Sequence, residues 1–281
     1  MSKIRNKVTM NIILALLASF ACVGNVNAAE HENYFGIEMN NEEYYTLLNL
    51  GFTEDEIYYM NEQTFLENKD LDANLVSETT KYYKTIYNDL SGNPYNIEVT
   101  KEEYENQPTK DARATVTTTY KQMISTISQN GNKFRFKVSL MWRNMPQIRS
   151  YDIIGVGFDD DVYIDSSVYF NYHWCNSSNT CSTDSYYYDK KSTSTGGTAV
   201  FDFPDSAMSM SVTLYYDVSK NTSSTLTSLE MCGDYSHATS NVTVNTAANH
   251  DIGIAGIELK SGSVTKYDTI PCALSTWTGS W

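Results

Sequence analysis

The sequence predicts a mainly β protein: a β-sandwich of the jelly-roll or immunoglobulin-like kind, preceded by a small acidic α-helical region. Three observations carry this. Fourteen of the 16 glutamates lie before Asp111, and glutamate is tolerated in helices but depleted from strands. All four cysteines beyond the extreme N-terminus lie after Trp174. The second half is rich in Ser, Thr, Val and Tyr, which favour strands.

The chain opens with Lys3, Arg5 and Lys7, then an apolar run from Ile12 to Val23 broken only by Ser19. A run this short suits a secretory signal peptide rather than a spanning helix, which needs about 20 residues. Val26 and Ala28 are the small residues expected ahead of a cut between Ala28 and Ala29. Cys22 raises a lipid anchor as the alternative, but Phe20 stands where such signals want a small residue. Residues 1–28 are therefore read as signal peptide, 29–110 as the acidic helical region and 111–281 as the sandwich.

Losing the signal removes three positive and no negative charges, taking the formal charge from −14 to −17. Residues 29–110 carry 18 acidic and 5 basic side chains, residues 111–281 carry 16 and 12. A surface this acidic repels nucleic-acid phosphates and anionic lipid, which argues against both as simple electrostatic partners. Export makes Cys175, Cys181, Cys232 and Cys272 disulfide candidates. Four cysteines allow three pairings; local proximity favours Cys175 with Cys181, leaving Cys232 with Cys272. Chain entropy assigns these about 2 and about 4 kcal/mol respectively.

In the acidic half, Asn40 and Asn41 cap a helix that runs to Leu50, with Gly51 as its left-handed stop. Thr53-Glu54-Asp55-Glu56 is a capping box for a second short helix, and Asn61 caps a third. Leu71, Leu75, Thr79, Tyr82, Tyr83, Ile86 and Leu90 recur at helical spacing and predict a further helix, giving a small bundle. The acidic side chains read as solvated helix faces rather than metal ligands. Residues 91–115 read as a polar linker. Its exposed Lys110 and Arg113 make it a cleavage site, so the acidic half is a candidate propeptide.

The clearest strand alternates Phe134, Phe136, Val138, Leu140 and Trp142 with Lys133, Arg135, Lys137, Ser139 and Met141, one face core and the other wet. Asn130-Gly131 predicts a hairpin back to a strand over Thr115–Ser128. Further strands are expected at 151–158, 162–174, 186–188, 198–203, 208–218, near Leu229 and Val242, and at 252–259 and 272–277. About ten strands with turn signals between them indicate a sandwich.

Exposed aromatics on such a body can stack on sugar rings or sit at a membrane interface, which singles out Tyr186, Tyr187, Tyr188, Trp277 and Trp281. Most tyrosines are read as cross-strand packing; Trp281, beyond a glycine, is the one not expected to be buried for packing alone. Asp159, Asp160, Asp161 and Asp165 are candidate Ca²⁺ ligands at a strand-to-strand turn, although aspartates are also ordinary turn formers.

Catalytic signatures are missing from the sequence. His31, His173, His237 and His250 form no zinc-site spacing, and neither a nucleophile elbow nor a phosphate loop occurs. His173 beside Cys175 suggests a thiol nucleophile less than a structural cystine. Glu230 and Glu258 are the sole glutamates for glycosidase chemistry in the β half.

The phrases NLGFTEDEI (49–57), TKYYKTIYNDLSG (80–92), RSYDIIGVGF (149–158), STDSYYYDKKSTSTGG (182–197) and the terminal TWTGSW together resemble a group of uncharacterised exported proteins of low-GC Gram-positive bacteria. The resemblance implies secretion and an all-β body, and it carries over no functional residue. The expected function is a secreted or cell-wall-associated, non-enzymatic sandwich that binds a surface glycan or protein. The alternatives are a membrane-active, bacteriocin-like toxin held inactive by an acidic propeptide, and a carbohydrate-active hydrolase.

Overall fold

A computed structural model describes residues 29–87, 94–107, 118–146, 148–159, 161–193, 195–202, 204–243, 247 and 267–281. The expected signal peptide with Ala28, the basic residues Lys110 and Arg113, and Asp160, His250, Glu258 and the strand expected at 252–259 lie outside the described residues.

The chain begins with a two-strand ribbon, β1 (His31–Glu32) and β2 (Glu38–Met39), and three short helices, α1 (Asn41–Asn49), α2 (Glu54–Tyr58) and α3 (Glu62–Asn68). The helices start where predicted: the side chains of Asn40, Thr53 and Asn61 each accept a backbone N–H of the first turn. Gly51 follows α1 at φ +84°, the left-handed geometry that glycine adopts at no steric cost. Met39, Leu47, Leu50, Phe52, Ile57, Met60 and Phe65 form a small apolar cluster of their own. Residues 30–72 are called the cap below.

The fourth expected helix is instead β3 (Ala73–Ile86), a 14-residue strand. It pairs antiparallel with β5 (Thr118–Asn130) from Ala73 opposite Asn130 to Ile86 opposite Thr118. Thr79, Thr80, Tyr82, Tyr83 and Thr85 favour a pleated surface, and β5 pairs along the length of β3 while a further strand takes the other edge over Tyr82–Ile86, so pairing overrides the helical spacing. The expected linker is ordered over 94–107, as β4 (Tyr95–Val99) on the outer edge of β3 and α4 (Lys101–Glu105) with Tyr104 buried. β3 and β4 thus share a sheet with the β half, and the helices of the acidic half are α1 to α3, ending at Asn68, and the short α4.

The remaining strands are β6 (Lys133–Trp142), β7 (Tyr151–Phe158), β8 (Val162–Ile164), β9 (Tyr169–Cys175), β10 (Cys181–Asp184), β11 (Asp189–Thr193), β12 (Gly196–Asp202), β13 (Ser209–Lys220), β14 (Ser228–Ala238) and β15 (Tyr267–Thr278). One eight-stranded sheet runs β10-β9-β13-β6-β5-β3-β4, with β8 also on β13; a five-stranded sheet runs β11-β12-β7-β14-β15. All pairs are antiparallel. The strand expected at 162–174 is broken in two around Ser166 and Ser167. Tyr186–Tyr188 lie in the loop before β11 and Val242 lies in coil.

The two sheets face each other across one core. Phe134, Phe136, Val138, Leu140 and Trp142 of β6 and Val212, Leu214 and Tyr216 of β13 meet Ile154, Val156, Phe201, Tyr235 and Ile270 from the second sheet. This is the expected β-sandwich, with the alternation of β6 read correctly for its inner face. The outer face is a correction: Arg135 and Lys137 are only 3% and 0% exposed, because the cap lies over them.

Candidate functional site

The cap and the eight-stranded sheet enclose the two features with the most chemistry. The first is an open cleft of about 840 Å³ where the ribbon and the start of α2 overhang β5 and β6. Its floor is Gln122, Ile124 and Met141 of the sheet. Its walls carry four carboxylates, Glu30, Glu32, Glu54 and Asp55, and the rings of His31, Tyr44 and Tyr58. Neither lysine nor arginine is among the described lining residues.

The rings are held in place. His31 stacks on Tyr44 at 4.0 Å and shares a hydrogen bond of 2.8 Å with the Asn41 side chain. Burial, reinforced by Glu54, raises the Tyr44 phenol above its ordinary pKa. At the rim Tyr34, Phe35 and Tyr58 are all exposed and pack edge-on at 5.2 and 6.1 Å. The Tyr34 hydroxyl accepts the Cys181 backbone N–H, tying this rim to the disulfide hairpin.

The second feature is the seam beneath α2. Glu56 closes its own capping box by accepting the Thr53 N–H at 2.8 Å. The same carboxylate accepts Lys137 Nζ at 2.8 Å, the Ser139 hydroxyl at 2.6 Å and the Thr213 hydroxyl. Burial works to raise the Glu56 pKa, but Lys137 and the two hydroxyls outweigh it and the carboxyl lies below its ordinary value. Lys137 also donates to Gly51 O at 2.9 Å. Alongside, Arg135 pairs with Asp217 at 2.7 Å, donates to the Asn68 side chain and lies over the Tyr215 ring at 4.7 Å. His173 stacks on Tyr59 at 4.5 Å, bonds Ser211 at 2.9 Å and faces Asp55 at 3.7 Å. Its pKa is lowered by burial against the pull of Asp55 and Glu56.

Sequence reading found Thr53 and Glu56 as a helix start and Lys137 as a wet-face residue, and missed that they meet. The available signal was the run of Arg135, Lys137, Ser139 on one strand with a strongly acidic capping box upstream; nothing local says the two touch.

The other expected sites are scattered. Tyr186 and Tyr188 are exposed and meet at 4.9 Å, and Lys190 sits 4.6 Å over Tyr187, so a second aromatic patch does form at this loop. Trp277 and Trp281 both pack on Phe134 at 4.8 Å. Trp281 stays partly exposed, its indole donating to Asn132 O and its main chain paired with Leu226. Lys220 also donates to its carbonyl. Both tryptophans are partly buried against the core.

Asp159 and Asp161 are exposed, while Asp165 is held by Lys133 at 2.7 Å and by Ser219, which lower its pKa. Among the described residues no group of three His, Cys, Asp or Glu is placed to hold a metal. Cys175 bonds Cys181 and Cys232 bonds Cys272, which leaves no thiol beside His173. Glu230 is exposed on β14 and lines neither the cleft nor the seam.

No protein-family model and no curated protein matches the chain. Among solved structures it is similar to the collagen-binding domain of Erysipelothrix rhusiopathiae surface protein RspB, at 7% identity and TM-score 0.28, over 57% of this chain and 66% of that one. It is similar to Clostridium perfringens delta-toxin at 8% identity and TM-score 0.25, over 46% and 77%. It is also similar to the S. aureus collagen adhesin at 9% identity and TM-score 0.23, over 73% and 85%. Scores this low carry no functional inference.

Proposed function

We propose that the protein is an extracellular, non-enzymatic β-sandwich that binds a surface protein or glycan. The observation that supports this reading is the open cleft, where stacked and exposed rings stand beside unshielded carboxylates on a rigid sheet floor. Rings supply contact area and flat faces at little entropic cost, and carboxylates accept hydroxyl or cationic donors. The two disulfides and the signal-like N-terminus fit an oxidising compartment. Retention of the full chain on arrays of surface glycans and surface proteins tests the reading. Tyr58→Ala and Glu54→Gln should each weaken the retained interaction at least tenfold; retention on neither array sinks the proposal.

A second reading, a membrane-active protein restrained by its acidic segment, draws on the acidic cap seated over Arg135 and Lys137. A cut at Lys110 or Arg113 would not free β3, which stays paired along β5, so any release would have to begin at the cap. Dye release from liposomes by a cap-cleaved but not by the intact chain supports it; no release by either rejects it.

A further inference from the structure

A sheet face that exists only to be covered is normally apolar, as the inner face of β6 and β13 is. The outer face of the same strands is the opposite. Register places Arg135 beside Asp217, Lys137 beside Tyr215, Ser139 beside Thr213 and Met141 beside Ser211. Charged and hydroxyl groups thus alternate strictly with Phe, Val and Leu along each strand. Burying such groups is favourable only where partners meet them, and apolar residues of the same size usually serve stability as well or better. Asp217 meets Arg135 and His173 meets Ser211 within the sheet, and the remaining partners come from one short stretch of chain. Leu50 O accepts Ser128, Gly51 O accepts Lys137, Glu56 accepts three side chains, Tyr59 O accepts Thr183 and Asn68 accepts Arg135. Three backbone carbonyls and one carboxylate are how a peptide is recognised in a groove, rather than how one layer of a core packs on another.

The fit is also incomplete. Small voids, each about 10 Å³ and so room for one water at most, flank Glu56 on both sides. The cap keeps an apolar cluster of its own in which Tyr215 is the only buried contribution from the sheet. It joins β3 through a single short segment at residues 69–72.

We propose that the outer face of β6 and β13 is a recognition surface for an acidic polypeptide segment, and that residues 30–72 are its built-in occupant. Lys137, Ser139 and Thr213 read a buried carboxylate presented at the start of a helical turn, Arg135 takes a side-chain amide oxygen further along it, and flanking carbonyls take the remaining donors. A partner of that chemistry competes with the cap for the face. The cleft shares this cap: its ring and carboxylate walls belong to the cap and its floor to the sheet, so opening of the cap also opens the cleft.

The test uses the full chain and a fluorescent peptide copying residues 49–68. Hydrogen exchange on the wild type should show amides of 41–68 opening without those of β6 and β13. Gly51→Ala is the variant that loosens the cap: a Cβ there would meet Thr126 Oγ1 at 2.4 Å at a positive φ, and no sheet residue changes. The variant should bind the peptide at least tenfold more tightly than the wild type. Lys137→Met added to it, or Gln in place of the peptide's glutamate at position 56, should remove that gain. Cap and sheet amides that exchange only together would overturn the proposal. So would a loosened cap that leaves the peptide unbound. Retention of Gly51→Ala on phosphatidylglycerol vesicles without competition from the peptide would assign the face to a membrane instead.

Discussion

Two lysines of the eight-stranded sheet are fully buried, on opposite faces, and their partners define two kinds of contact. Lys121 points inward, 3.0 Å from Asp268 on β15 of the second sheet, 4.5 Å over the Trp142 ring, with Asn96 donating to the same aspartate. Lys137 points outward to Glu56 of the cap. The inner pair bridges two sheets that share a continuous core, so it can open only if the sandwich opens. The outer pair joins the sheet to a unit with its own small cluster and one covalent exit. Equal burial therefore does not mean equal consequence: what matters is whether the partner belongs to the same cooperative unit.

Asp268→Ala leaves Lys121 charged and unpaired in the sandwich interior and should cost about 3–5 kcal/mol of global stability, seen as one shifted transition in urea. Two separate transitions would show that the inner pair is no more integral than the outer. Glu56→Gln keeps the shape but loses the charge, at about 2 kcal/mol. Here protease cuts within residues 41–72 should quicken while the urea midpoint of the sandwich stays put; a matching loss in the sandwich would erase the distinction.

Asp234 sharpens the contrast as a buried acid with no ionic partner among the described residues. Its Oδ1 has no hydrogen-bond partner, and burial pushes the carboxyl up to about 7 against a bond from the Tyr235 backbone. The folded state keeps the proton that the unfolded chain releases near pH 4. Stability should therefore fall as pH rises from about 4 to 7, by at most about 1.4 kcal/mol per unit from this group. Comparing urea midpoints of the wild type and Asp234→Asn across that range isolates the slope, which should flatten in the variant.

The smallest effect is on the seam. His173 is buried with a lowered pKa and Glu56 lies below its ordinary value, so both disfavour docking in acid. The unfolded histidine takes a proton near pH 6.5 before the docked one does, and the Glu56 contribution is lost lower, as pH falls through its folded pKa. Cap amides should exchange faster on going from pH 7 to 5 than intrinsic exchange explains, and His173→Gln should blunt the change.

Much that is local was legible in the chain. The caps at Asn40, Thr53 and Asn61, the left-handed Gly51, the Asn130-Gly131 hairpin and the inner face of β6 follow from spacing and side-chain chemistry within a few residues. Residues 71–90 were misread because their apolar spacing suits a helix, while the deciding fact, a long partner in β5, lies some 40 residues on. Trp281, beyond a glycine, was not expected to be buried for packing alone; it stays partly exposed, and nothing local told that Phe134 and Asn132 would meet it.

The sequence by itself determined the strand-rich body, the acidic N-terminal segment with its helix starts, and cysteines close enough to bond locally. Only the tertiary structure decided that Lys137 and Arg135 are covered, that Glu56 meets the first and Asn68 the second, and that β3 belongs to the sheet. The reason is physical: propensity and capping act over a turn or two of chain, whereas burial and ion pairing depend on which distant segment arrives, and a single sequence does not state its long-range pairings.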